Sequence, residues 1–391
     1  MTIDDFPWLE DHHRMIRETV REFCVKEVAP GAVARDRDMK FPRELFARMA
    51  ELGLTGVPIP EEWGGAGLDT LAYAITMEEI ARVDASLALT LAAHTSLGTV
   101  PIYAFGSEEQ RKRWVPQLAS GRELAAFALT EPDSGSDAQA TRTTATERDG
   151  AWVVNGTKFY CTNGSHAKTV VFTAVTGTLP SGKKEITPFV VEKGTPGFRL
   201  GTLETKLGMR SSDTRVLHFE EMRLPAENIL GGPGQRGKGF HRFMETLDGG
   251  RISIGALGVG IAQGALDRAL DYSRQRHAFG EAIGDLGAIR ERIADMAVDV
   301  HAARLLVYDS ALRKDRGLPY GRHSAMAKLY SSEAAMRVSD SAIQILGGYG
   351  FCREFEVERH YRDAKLCEIG EGTSEVQRII IARSLAREVS A

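Results

Sequence analysis

The chain has 391 residues, 43% hydrophobic and 26% charged, with 49 Lys and Arg against 53 Asp and Glu for a net charge of −4. Such a length exceeds one simple core, so two or three domains are expected in an ordinary globular composition. A pI near 6.2 gives no electrostatic case for nucleic acid or an anionic membrane.

The N-terminal stretch MTIDDFPWLEDHHR is acidic, has no apolar run, and resembles neither a signal nor a transit peptide. No run of about 18 apolar residues is apparent, so no membrane span is expected. Cys24, Cys161, Cys352 and Cys367 are scattered without a Cys-x-x-Cys pair, which fits a reducing compartment and argues against structural zinc. The ten histidines show no metal-ligand spacing, and the expected location is cytoplasmic.

Residues 7 to about 122 read as helices, giving a first, all-helical domain over 1–122. LAYAITMEEIARVDASLALTLAAHTSLG is apolar over much of its surface, as a buried helix pair would be. Ser107 and Gln110 form a capping box opening EEQRKRWVPQLAS, a helix that Pro116 is expected to disturb and whose Arg111, Lys112 and Arg113 read as a solvated face. Around Glu123 the pattern turns to alternation. TRTTATERDGAWVVNGTKFYCTNG places Asp149-Gly150 at a tight hairpin turn, and KTVVFTAVT, ITPFVVEK and TRVLHFEEMRLP continue as strands. Six or so strands without helices between them predict an antiparallel barrel or sandwich over 123–238. From Gly239 long helical segments return at about 240–276, 286–316, 323–346 and 375–388, predicting a four-helix bundle over 239–391. Gly255, Gly258, Gly260 and Gly264 cost helix propensity and imply a close neighbour. The expected fold is α+β and multidomain.

GPGQRG, Gly232 to Gly237, matches the dinucleotide fingerprint but lacks the parallel strand and βαβ unit that motif needs, so it reads as a loop between domains. FALTEPDSGSD, Phe127 to Asp137, is either a strand-end turn or a loop whose free amides take a flavin edge or pyrophosphate. NGTKFYCTNG puts Tyr160 and Thr162 two residues apart, on one face of a strand. Near the C-terminus, Glu371 stands between Gly370 and Gly372, just before a helix for which Ser374 and Gln377 read as a capping box. This is either a surface turn with a dipole-favoured acid or a carboxylate that must approach another molecule closely.

In this order, LTEPDSGSD, TLDGGR, QILGGYGF and YRDAK…EGTSEVQR resemble the acyl-CoA dehydrogenase family over nearly the whole chain. The resemblance implies a helical domain, a β domain and a helix bundle, with FAD as cofactor. It also implies a homotetramer, an acyl-CoA substrate and an electron-transfer flavoprotein as acceptor. Glu371 matches the family's base, which takes the α-proton while the β-hydrogen leaves as hydride to flavin N5. Thr130, Ser136, Tyr160, Thr162, Arg276, Phe279, Gln344, Gly348 and Thr373 match FAD contacts, with Arg276, Phe279, Gln344 and Gly348 reaching across a subunit interface. Ser136, Asp248, Arg251 and Gly370 match positions on the substrate side. Tyr160 replaces a common Trp, Gly370 stands where medium-chain relatives carry Tyr, and Gly250 occupies an alternative site for the base in a minority of relatives. Gly370 and Gly250 remove bulk near the reacting carbons, while His94, Thr95 and Ser96 add polar groups at the expected pocket floor, implying a short to medium acyl group, straight, branched or cyclic. An oxidase on the same scaffold and a non-catalytic CoA- or FAD-binding scaffold are the alternative functions.

Overall fold

The computed structural model describes residue 6 and residues 8–389. Seven helices come first: α1 Asp11–Phe23, α2 Ala32–Asp38, α3 Arg43–Glu51, α4 Thr70–Ala81, α5 Ala85–Ala92, α6 Val100–Phe105 and α7 Glu108–Ala119. The segment Ala85–Phe105, with mean hydropathy 1.2, is long and apolar enough to cross a membrane, contrary to the sequence expectation. Its most apolar window is 89% buried inside the chain, which makes it a core element, as the helix-pair pattern implied. The Ser107–Gln110 capping box forms at the start of α7. Pro116 does not break that helix: it lies in the last turn, and the bond it removes would have gone to the carbonyl of the exposed Lys112.

The central zone is one seven-stranded sheet: β1 Ala125–Ala128, β2 Thr144–Arg148, β3 Ala151–Thr162, β4 Thr169–Thr178, β5 Lys184–Glu192, β6 Phe198–Leu203 and β7 Thr214–Pro225. Asp149 and Gly150 join β2 to β3 with φ of 52° and 72°, the left-handed pair a tight hairpin turn requires. The sheet is not wholly antiparallel. β4 pairs antiparallel with β5 but parallel with β1 and, at one position, with β2. Ala125–Ala128 supplies this parallel neighbour, and its alanines carry no strand-like alternation in the sequence. GPGQRG forms a short turn between the sheet and the next helix.

Five helices follow: α8 Gly239–Gln275, α9 Gly287–Asp315, α10 Gly321–Leu346, α11 Val357–Ile369 and α12 Ser374–Val389. The additional one, α11, escapes the pattern because its buried face carries Arg359, His360 and Asp363 among its apolar residues. α8 packs against α4, α9, α10 and α11. Its glycines allow this. A Cβ at Gly260 or Gly264 would meet the backbone of Glu78 or Arg82 around the end of α4, and one at Gly258 would lie 3.1 Å from Ser331 O on α10. Helices from both ends of the chain therefore share one apolar core, with Ile75 and Leu91 in the same cluster as Leu257 and Val307.

That junction contains a buried ion pair. Arg304 of α9 donates through Nε and Nη2 to Glu78 Oε1 at 2.9 and 2.7 Å, and through Nη2 to Gln263 Oε1 of α8 at 2.8 Å. Tyr308 OH donates to the other Glu78 oxygen at 2.9 Å. Arg304→Met leaves Glu78 charged and unpaired, and is expected to cost about 3–5 kcal/mol. Glu78→Leu/Arg304→Met together should recover most of that loss. Denaturant midpoints check this, and a double variant as unstable as the single one would contradict it.

Candidate functional site

Glu371 lies in the four-residue loop Gly370–Thr373 between α11 and α12. Its φ of 54° is left-handed, at a cost of about 1–3 kcal/mol for a residue other than glycine. The loop holds because its carbonyls are tied. Lys328 Nζ of α10 donates to Gly372 O at 2.7 Å, and Gln377 Nε2 donates to the same oxygen at 2.7 Å and to Glu371 O at 3.3 Å. The cap of α12 falls one residue earlier than expected. Thr373 Oγ1 accepts from Val376 N at 3.4 Å, and Gln377 serves the loop instead of a Ser374 capping box.

The carboxylate points at α8. A Cβ on Gly250 would collide with Glu371 Oε2 and lie 3.0 Å from both Glu371 Cδ and Leu97 Cδ2, so only glycine fits the present arrangement. Oε2 is buried and has no hydrogen-bond partner among the described residues. Burial pushes the Glu371 carboxyl up to about 7, although the charges of Arg251 and Lys328 pull the other way. Among the described residues nothing accepts from the Glu371 N–H. Gly370 has ordinary extended backbone, φ −67° and ψ 151°, and a Cβ there would meet only Leu366, no closer than 3.4 Å.

Arg251, 4% exposed, pairs with Asp248 one turn earlier on α8, and its Nε has no hydrogen-bond partner among the described residues. Burial, more than any neighbouring charge, raises the Asp248 pKa. Tyr73 of α4 is also buried beside this group. Burial and, to a smaller degree, the Glu371 charge raise its pKa, and the hydroxyls of Ser96, Ser253 and Thr95 lie around its phenol. Thr95 and Ser96 donate to the carbonyls of Thr55 and Ala92, while His94 bridges Ala125 N and Leu118 O at 3.0 Å each. Burial holds His94 at about 4, so it is a neutral structural residue.

A second group forms at the sheet. Phe159 N donates to Thr130 O at 2.8 Å, which brings the Thr130 loop against β3. A bulge between Lys158 and Cys161 interrupts the alternation there, and Tyr160, with φ of 53°, turns its ring outward at 63% exposure. The one-face reading of Tyr160 and Thr162 therefore did not anticipate the bulge that aims the ring. Thr130 and Thr162 are half-buried and Ser136 is exposed. Below them, fully buried Lys158 donates to Glu131 Oε1 at 2.6 Å and Leu129 O at 3.3 Å. Burial pushes the Glu131 carboxyl up, but the charge and hydrogen bond of Lys158 outweigh it and hold the group at about 2.

A third group lies beyond the far end of α8. Arg276 and Phe279 follow that helix, with Phe279 93% exposed, and Gln344 and Gly348 are exposed at the end of α10. Tyr272 and Tyr349, 6.3 Å apart between centroids, bring the two ends together. Arg251 and Gln275, the last residue of α8, are separated by 24 positions, about 36 Å along the helix. One subunit therefore does not unite this group with Glu371. Thr373 closes the Glu371 loop as the cap of α12.

Lys328 and Tyr73 were not singled out from the sequence, and Gln377 was read only as half of a capping box. The available signal for Lys328 is a lone lysine in the small-residue run AMAKLYSSEAA. One histidine cluster was also missed. Among the described residues, His12, His13 and Asp69 form a group of metal-ligand type. His13 Nδ1 accepts from Glu10 N at 3.1 Å, so Nε2 carries the proton and donates to Asp69, which in turn caps α4 through Ala72 N. The group is a hydrogen-bonded helix cap.

A buried carboxylate held near neutral pKa beside an unused N–H suits an enzyme that takes a proton from a weak acid in an enclosed site. The models for the acyl-CoA dehydrogenase N-terminal, middle and C-terminal domains match residues 10–122, 126–222 and 237–386. The chain belongs to the acyl-CoA dehydrogenase family. It is 47% identical over 380 residues to the mitochondrial short-chain specific acyl-CoA dehydrogenase of Rattus norvegicus, covering 97% of this chain and 91% of that one. It superposes on butyryl-CoA dehydrogenase from Megasphaera elsdenii with a TM-score of 0.94 at 41% identity, over 97% and 99% of the two chains. A chain solved in work on the electron transferring flavoprotein of Acidaminococcus fermentans and flavin-based electron bifurcation gives 0.93 at 43% identity, over 97% and 99%.

Gly250→Ala should displace the Glu371 carboxylate while leaving the fold intact. A misplacement of about 1 Å can cost about 10²-fold, and acyl-CoA turnover alongside far-UV circular dichroism checks it. Unchanged turnover in a folded variant would contradict the contact.

Proposed function

We propose that the protein is an FAD-dependent acyl-CoA dehydrogenase that desaturates a short acyl-CoA thioester between its α and β carbons, with Glu371 as the base. The observation that carries this reading is the buried, unpartnered Glu371 oxygen on a carboxyl held at about 7. A base with a pKa close to working pH is ionised in useful amount and still holds a proton well. The free Glu371 N–H supplies a donor for the thioester oxygen, where negative charge develops as the α-proton leaves. Asp248 and Arg251 lie on the same stretch of α8 and are assigned to the substrate side, with Gly370 leaving space beside the acyl group and exposed Ser136 meeting both substrate and cofactor.

The residues at the sheet fit FAD: the outward Tyr160 ring offers a face to a planar heterocycle, and Thr130 and Thr162 offer half-buried hydroxyls to its polar edge. Bound FAD supplies the acceptor for the β-hydrogen as hydride. Arg276, Phe279, Gln344 and Gly348 are assigned to the FAD of a neighbouring subunit in a homotetramer, which the length of α8 between Arg251 and Gln275 supports. Thr373 is a further FAD contact in this reading. Electrons pass to an electron-transfer flavoprotein. Divisions at 122/123 and 238/239 follow the changes from helix to strand and back. Four free cysteines accord with a cytoplasmic location.

Glu371→Gln should retain FAD yet slow anaerobic bleaching of the flavin band by acyl-CoA by about 10²–10⁴-fold. In the wild type the ionised carboxylate is the active form, so bleaching at limiting substrate should rise with pH through about 7. Fast bleaching by the variant would refute the assignment. Arg276→Ala and Gln344→Ala should lose FAD on dilution without unfolding, read by flavin absorbance after gel filtration. Full retention would remove the cross-subunit contact. In an acyl-CoA panel, a long straight chain with the highest kcat/KM would contradict the short-acyl assignment.

A further inference from the structure

Lys328 is fully buried in α10, yet nothing in the proposed chemistry uses it. Its ammonium is directed at one acceptor, Gly372 O at 2.7 Å, the carbonyl immediately after the base. The groups around it come from four elements: Cys367 and Glu368 of α11, Glu371 of the loop, Arg251 of α8 and Glu375 of α12. Burial brings its pKa down to about 8, with Cys367 and Glu371 opposing, so the ammonium form predominates at neutral pH. A buried charge needs a partner. The tightest grip this one has is on the loop that places Glu371 in a left-handed conformation.

We infer that Lys328 is a positioning residue for the base. Its bond to Gly372 O fixes the strained loop, and its charge favours the ionised Glu371 carboxylate. Gln377 Nε2 supplies the second bond to the same oxygen but no charge, so the two residues have separable effects. This inference rests on Glu371 being the base.

The test uses flavin-loaded full-length protein and two readouts: anaerobic bleaching by butyryl-CoA from pH 6 to 10, and infrared titration of the Glu371 carboxyl, identified by difference from Glu371→Gln. Lys328→Met removes both bond and charge. Its Glu371 titration should move to higher pH, and its bleaching rate at the high-pH plateau should fall about 10–100-fold, as a displaced base would. Lys328→Gln keeps an N–H for Gly372 without the charge, and should show the upward titration shift with a smaller plateau loss. Lys328→Arg keeps charge and donor, and should restore the wild-type titration. Should Lys328→Met not retain flavin, Lys328→Gln alone decides. An unshifted Glu371 titration in a folded, flavin-loaded Lys328→Gln protein overturns the inference. A Glu371 shift in protein that no acyl-CoA bleaches would instead sink the dehydrogenase reading while leaving the role of Lys328 in place.

Discussion

The feature on which the rest depends is the contact between the Glu371 carboxylate and Gly250. A carboxyl oxygen buried without a hydrogen-bond partner is costly, and an uncompensated charge there more so. The protein balances this by letting the pKa rise to about 7 and by setting Arg251 and Lys328 near enough to limit the rise. Deprotonated, the carboxylate is a base with few competing partners. The same absence of partners makes the group hard to hold, and the loop is fixed through its backbone by Lys328, Gln377 and the Thr373 cap.

α8 is the spine of this arrangement. Its glycines admit α4 and α10 at close range, and Gly250 admits the carboxylate in the same way. Because helices from both ends of the chain share one core around α8, the buried Glu78–Arg304 pair and the Asp248–Arg251 pair lie on one continuous scaffold. The sheet contributes the Thr130 loop and the Tyr160 bulge, braced from beneath by Lys158 and Glu131. The Tyr160 bulge and the Glu371 loop thus rest on different layers, the first over the buried Lys158–Glu131 pair and the second tied through its carbonyls to α10 and α12.

Much of the fold was legible because local chemistry and tertiary structure agree: Asp149-Gly150 dictates its hairpin, Ser107 and Gln110 their helix start, and the glycines of α8 their close packing. What was lost follows a common cause, side chains whose character runs against their environment. α11 buries Arg359, His360 and Asp363, so it shows no clean apolar stripe. β1 is mostly alanine. Glu371 stood out between two glycines, but the role proposed for it came from the family resemblance, since a turn acid and a base look alike in one sequence. Only Gly372 of the two needs its left-handed backbone, at φ 93°, and Glu371 itself takes the other such position. Lys328 is a lysine where the pattern predicts a small core residue, and its purpose is visible only with the loop packed on it.

The central claim is that Glu371 removes the α-proton, and exchange at that carbon measures it apart from electron transfer. Flavin-loaded protein is incubated anaerobically with butyryl-CoA in deuterium oxide, and α-deuterium incorporation into the recovered thioester is followed by NMR. Wild-type protein should exchange the α-position, and Glu371→Gln should slow that exchange about 10²-fold or more. Exchange at the wild-type rate in a folded, flavin-loaded Glu371→Gln protein would place the base elsewhere and contradict the account.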